Sequence, residues 1–96
     1  MEFKNQKELF EYIWKTRPHV SEISGDPLYP KGHSLWHWQF LHVLSKQAYP
    51  SFKLNPDNIM LATYGEHLKQ EEFEVFRNRK EELKRIYYKQ IYNKQF

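Results

Sequence analysis

The residue type in this chain best suited to chemistry is histidine, present five times, at 19, 33, 37, 42 and 67. A neutral imidazole titrates near pH 7, so it can take a proton as a general base or coordinate a metal ion. His42 stands in the string Phe40-Leu-His-Val-Leu-Ser-Lys-Gln-Ala-Tyr-Pro50. Asn58 follows sixteen residues later in Asn55-Pro-Asp-Asn-Ile-Met-Leu61, and His67 nine residues after that in Thr63-Tyr-Gly-Glu-His67. There is no Gly-rich phosphate loop, nucleophile elbow or paired-carboxylate arrangement. His33 and His37 flank Trp36, but with no cysteine in the chain they do not by themselves make a structural zinc site. His19 follows Pro18 and carries no signal.

A histidine on an extended segment, an asparagine after a loop and a histidine on the next helix together resemble the HNH nuclease motif, a ββα-metal fold. The string from Leu41 to Pro50 is similar to that of a short HNH-type family common in bacteriophage genomes. There it reads Ser-His-Ile-Leu-Ser-Lys-Gly-Ala-Tyr-Pro, followed by an Asn-Pro-Asp/Glu-Asn turn. The motif spans residues 40 to 67 and the wider likeness residues 20 to 70. The resemblance implies a metal-dependent endonuclease that hydrolyses DNA phosphodiester bonds. It makes His42 the general base and Asn58 the residue that holds the loop and orients His42. It makes His67 a ligand of a divalent cation, Mg²⁺ or Mn²⁺, with Zn²⁺ or Ni²⁺ as further candidates. Such a cation neutralises the charge that develops on the leaving 3′-oxygen.

One position departs from the pattern. Many HNH enzymes carry an acidic residue or a histidine just before the base, as a second metal ligand, and this chain carries Leu41. The remaining ligands would then come from His37, Glu66, Asp57, water or substrate phosphate oxygens, a sparse site of a kind that Mg²⁺ tolerates. Leu41 is therefore also the main support for a second reading: a degenerate HNH fold that binds nucleic acid or a protein partner without cleavage. The same residues have plainer roles as well. His42 shares its expected face with aromatic rings, as a packed core histidine would. Asn58 beside Pro56 and Asp57 suits a turn, and His67 suits an exposed helix surface.

Ninety-six residues make a single domain, 1–96, with the motif core at about 35–75. An aromatic content of 18% lets so small a chain bury a large apolar area. The absence of cysteine excludes a disulfide framework and the zinc knuckle found in many HNH relatives. The first residues lack an apolar signal region and no run reaches membrane-spanning length, so the expected compartment is the cytoplasm, that of the host if the chain is phage-encoded. Net charge is +3. Residues 1–76 hold eight Lys/Arg against ten Asp/Glu, and residues 77–96 hold seven against two, so the basic excess is C-terminal. Lys46, Lys53, Arg77, Arg79 and Lys80 are the candidate phosphate contacts, although a charge run is also what a solvated helix face looks like. A domain of this size is compatible with a homodimer or a larger protein partner.

The elements that must position these residues read as an α+β chain: a hairpin-plus-helix core with an N-terminal helix and a basic C-terminal helix. Asn5 with Glu8 has capping-box spacing, Leu9, Phe10, Ile13 and Trp14 form a helical stripe, and Pro18 ends the element, which predicts a helix over 6–16. Val20 to Ser24 reads as a short strand before the turn Ser24-Gly25-Asp26-Pro27, and residues 25–34 as an irregular loop. Leu35 to Leu44 is the best strand candidate. Alternation places Trp36, Trp38, Phe40, His42 and Leu44 on one face and His37, Gln39, Leu41 and Val43 on the other. Ile59 to Ala62 reads as the returning strand after a loop held by Pro50 and Pro56. Thr63 with Glu66 predicts a helix from Tyr64, with His67 in its first turn facing the hairpin. Asn78 with Glu81 predicts a further start, with a helix to about Asn93, and residues 64–93 fit one helix or two.

Overall fold

The computed structural model describes residues 2–94. Helix α1 runs Gln6–Thr16, and the Asn5 side chain accepts the Glu8 N–H, as its spacing predicts. The Glu8 carboxylate reaches past the cap to the Lys4 N–H, at 3.0 Å, so the box is not reciprocal in the usual way. Leu9, Phe10 and Ile13 are buried and Pro18 leaves Arg17 extended, so the stripe and the stop both act as expected.

Two three-residue strands, β1 (Phe40–His42) and β2 (Ile59–Leu61), form an antiparallel hairpin. Phe40 pairs with Leu61, Leu41 with Met60 and His42 with Ile59. Successive side chains in a strand point to opposite faces, and both faces of this hairpin are covered. Phe40, Ile59 and Leu61 pack with Leu9, Phe10 and Ile13 of α1. Leu41, Val43, Met60 and Ala62 pack on the other side with Phe76 and Leu83. This double cover explains why Ile-Met-Leu is apolar throughout, as a strand buried on both faces must be.

Helix α2 (Tyr64–Leu68) follows β2 directly, and the reciprocal capping box of Thr63 and Glu66 is present. After a 3₁₀ turn at Gln70–Glu72, helix α3 occupies Glu74–Lys94. The expected start at Asn78 is therefore corrected: Asn78 lies inside α3, and residues 64–93 hold two helices separated by a turn. Starting at Glu74 puts the fully buried Phe76 and, seven residues on, Leu83 on one stripe facing the hairpin. Ile86, between Leu83 and the half-buried Tyr87 in α3, is 42% exposed.

Two further expectations fail. Residues 20–24 are a turn with one bridge, Val20 to Pro27, rather than a strand. The turn closes through Gly25, whose φ of +82° suits glycine and whose N–H reaches the Ser21 carbonyl at 2.9 Å. This segment covers the free edge of β2. The Glu22 N–H donates to the Leu61 carbonyl, and the Glu22 carboxylate accepts the Leu61 N–H. Arg17 donates to the carbonyls of Ile59 and Pro56, at 2.6 and 2.7 Å. Edge N–H and C=O groups are thereby satisfied without a third strand.

The second failure is Leu35–Leu44: Trp36–Gln39 is a 3₁₀ turn and only the next three residues are strand. The Gln39 side chain is 1% exposed, accepts the Tyr29 N–H and donates to the carbonyls of Tyr29 and Trp36. A straight strand would remove that amide from the loop it satisfies, and tertiary demand here overrides β propensity. Among the described residues the chain is thus a small α+β fold with a two-stranded hairpin and three α-helices, compatible with a ββα arrangement. No helix among the described residues is long and apolar enough to cross a membrane.

Candidate functional site

The 3₁₀ turn decides what lines the cleft beside β1. With three residues per turn, Trp36 and Gln39 go inward while His37 and Trp38 are exposed. His42 emerges at the end of β1 on the α1 face, with its ring 6.0 Å from that of Phe10. His67 comes from α2 and meets Trp38 edge-to-face at 5.8 Å. Three histidines, His37, His42 and His67, thus line one cleft of about 410 Å³, joined by Trp38 and Lys46.

His42 is held by a backbone group. Its Nε2 lies 3.2 Å from the Lys53 carbonyl oxygen. A carbonyl only accepts, so Nε2 carries the proton of the neutral ring and Nδ1 keeps the lone pair. Burial lowers the His42 pKa below the ordinary 6.5; the Lys53 carbonyl opposes this in part, and Lys46 and His67 lower it further. Burial likewise lowers His67, against a smaller opposing effect of the Trp38 backbone. Both rings are therefore neutral at pH 7, the form that a base or a metal ligand requires.

Asn58 holds the loop, as the resemblance implies, but makes no direct hydrogen bond to His42. Its fully buried side chain accepts the Leu44 N–H at 2.7 Å and donates to the carbonyls of Leu44 and Phe52, at 2.9 and 3.3 Å. None of these bonds reaches His42. Asn58 closes the 45–57 loop, and that loop presents the Lys53 carbonyl to His42, so any influence on the imidazole is indirect.

The other expected ligands divide. Leu41 is completely buried among Val43, Met60 and Phe76 and does not face the cleft, so an acidic residue there would enter the core. The Glu66 carboxylate accepts from the Ser21 hydroxyl at 2.6 Å and the Thr63 N–H at 2.8 Å. Burial pushes the Glu66 pKa up, but hydrogen bonds from Ser21, Ser24 and Thr63 outweigh it and hold the carboxyl below its usual range. That carboxylate serves the helix cap and the 21–24 turn, and it does not line the cleft. Asp57 is exposed and also lies off the cleft. His67 Nδ1 is buried without a direct hydrogen-bond partner, and the Trp38 backbone lies close enough to the ring to act on its pKa. Among the described residues no three His, Asp or Glu side chains group closely enough to hold a metal ion by themselves.

Of the expected phosphate contacts, Lys46 lines the cleft and donates to Gln6 at 3.0 Å. Lys53 is exposed beside it, in a shallow groove that both residues line. Arg77 is exposed and donates to the Glu71 carbonyl at 2.9 Å. Lys80 pairs with the Glu71 carboxylate at 2.7 Å and Arg79 with Glu82 at 3.9 Å, which partly neutralises the start of α3. Residues 95 and 96 of the basic segment lie outside the described residues.

The Lys53 carbonyl and the Gln39 amide went unread in the sequence. A backbone group has no sequence signature, and a buried glutamine in an aromatic run resembles the polar member of an alternating strand. Set against family models, curated proteins and solved structures, the chain matches none.

Proposed function

We propose that the chain is a metal-dependent HNH-type endonuclease that hydrolyses DNA phosphodiester bonds with His42 as general base. The observation that carries this reading is the hydrogen bond from His42 Nε2 to the Lys53 carbonyl, which leaves Nδ1 unprotonated in a cleft shared with His67. An imidazole held in that tautomer is set to take a proton from water attacking phosphorus. Lys46 at the same cleft offers a positive charge to a phosphate. The order β1, β2, α2, with His42 on the first element and His67 on the last, supports a ββα-metal core. His67 would hold the divalent cation with His37, which lines the same cleft, and water and substrate phosphate oxygens would complete the set. Two imidazoles suit Ni²⁺ or Zn²⁺ better than Mg²⁺ or Mn²⁺. Bound there, the cation supplies neutralisation of the leaving 3′-oxygen.

A second reading is favoured by a separate observation: Leu41 is spent in the core and Glu66 on a helix cap, so the cleft contains no carboxylate ligand. On that reading the domain binds nucleic acid or a protein without cutting. Plasmid nicking with Mg²⁺ or Mn²⁺ separates the two, with EDTA and His42→Ala controls. Metal-dependent nicking lost in His42→Ala supports the nuclease. No nicking by the folded wild type with either metal leaves the binding module.

A further inference from the structure

We propose that the cleft receives an unpaired nucleotide, stacked on Trp38. This rests on the nucleic-acid reading of the same cleft and adds the form of the substrate. Trp38 is 45% exposed, whereas Trp14 and Trp36 are half-buried and engaged with Phe40. Single exposed apolar residues are ordinary on protein surfaces. This one differs in its position, because the 3₁₀ turn sends Trp36 and Gln39 inward and leaves Trp38 at the cleft beside His42, His67 and Lys46.

The indole is also braced. Tyr64 and His67 both meet it edge-to-face, with ring centroids at 6.2 and 5.8 Å. The His37 ring lies at 5.3 Å in a tilted contact, and an indole held by three neighbours and still nearly half open loses little freedom when a flat partner lands on it. Every base has such a face, and a Lys46 ammonium in the same cleft can meet the phosphate of the same nucleotide. In a paired duplex both faces of each base are already covered by its neighbours, so a base reaches the indole only if it is unpaired or extruded.

The test is binding without cleavage, in EDTA, read by tryptophan fluorescence and by titration of labelled strands. The probes are oligo-dT, oligo-U, a duplex with a central bulge, and the same duplex fully paired. The expected result is tighter binding of the strands and the bulged duplex than of the paired duplex, with quenching of the exposed indole. Trp38→Ala should weaken binding about 5- to 100-fold. Trp38→Phe should keep most of the affinity while losing the quenching. Lys46→Gln should lower the salt dependence by about one phosphate contact. Preference for oligo-dT or for oligo-U supports the proposal in either case and tells which sugar the site accepts. Equal or tighter binding of the paired duplex, or unchanged affinity in Trp38→Ala, overturns it. Its failure is distinct from failure of the nuclease reading: a plasmid nicked without unpaired-strand preference sinks only this proposal, and strand binding without nicking sinks only the other.

Discussion

The side-chain amide of Asn58 grips both backbone groups of Leu44, accepting its N–H at 2.7 Å and donating to its carbonyl at 2.9 Å. This clamp joins the end of β1 to the start of β2 across the 45–57 loop. Asn58→Ala would leave the Leu44 N–H and carbonyl buried without these partners, at about 1–3 kcal/mol for each unsatisfied group, while the Phe52 carbonyl keeps the Asn55 N–H. We expect a loss of roughly 3 kcal/mol or more in urea unfolding. A loss below about 1 kcal/mol would show that water replaces the amide. Any fall in activity beyond the fraction unfolded should come through the Lys53 carbonyl that the loop presents, because Asn58 does not touch His42.

His42→Ala should lower nicking by about 10²–10⁴-fold with the fold intact by circular dichroism. Unchanged nicking by the purified variant removes His42 from the mechanism.

The pH behaviour follows from the direction of the two histidine shifts. Burial holds His42 and His67 below 6.5, so the unfolded chain binds their protons more readily than the folded one. Their contribution to stability is complete above pH 6.5 and is lost as pH falls through the lowered folded values. The acid limb of the nicking profile should accordingly lie below 6.5. A midpoint at or above 6.5 contradicts a buried, neutral base.

Leu41→Asp tests whether residue 41 can serve the metal site. The side chain is fully buried, so the change removes a core residue and introduces a carboxylate among Val43, Met60 and Phe76. The expected outcome is destabilisation by about 3 kcal/mol or more, without tighter metal binding. A stable variant that binds Mn²⁺ more tightly by calorimetry would place residue 41 at the cleft and overturn the packing described above.

Metal binding should separate His67 from Glu66. His67→Ala is expected to abolish Mn²⁺ or Ni²⁺ binding measured by calorimetry at neutral pH. Glu66→Gln should leave it within about twofold while lowering stability by about 1 kcal/mol, since the lost carboxylate caps α2. Equal losses of metal affinity in the two variants would return Glu66 to the ligand set.

Parts of this molecule were legible in the chain because their causes are local. The Asn5 cap, the Leu9-Phe10-Ile13 stripe and Pro18 bound α1 within one stretch of sequence, and Thr63 with Glu66 starts α2 in the same way. Strand alternation alone put Leu41 and His42 on opposite faces. The remaining features depend on partners far along the chain. Trp36-His-Trp-Gln39 fits a period of two or of three, and the choice fell to the Gln39 amide, whose Tyr29 partner lies ten residues away. Asn78 has the spacing of a cap, but Phe76 needs helical geometry to reach the hairpin core, so α3 begins earlier. Side-chain chemistry put His37, His42 and His67 in play, and only the tertiary structure brought them to one cleft. It also supplied the contact that orients His42 through the backbone of Lys53, because a carbonyl is the same at every residue and leaves no trace in a sequence.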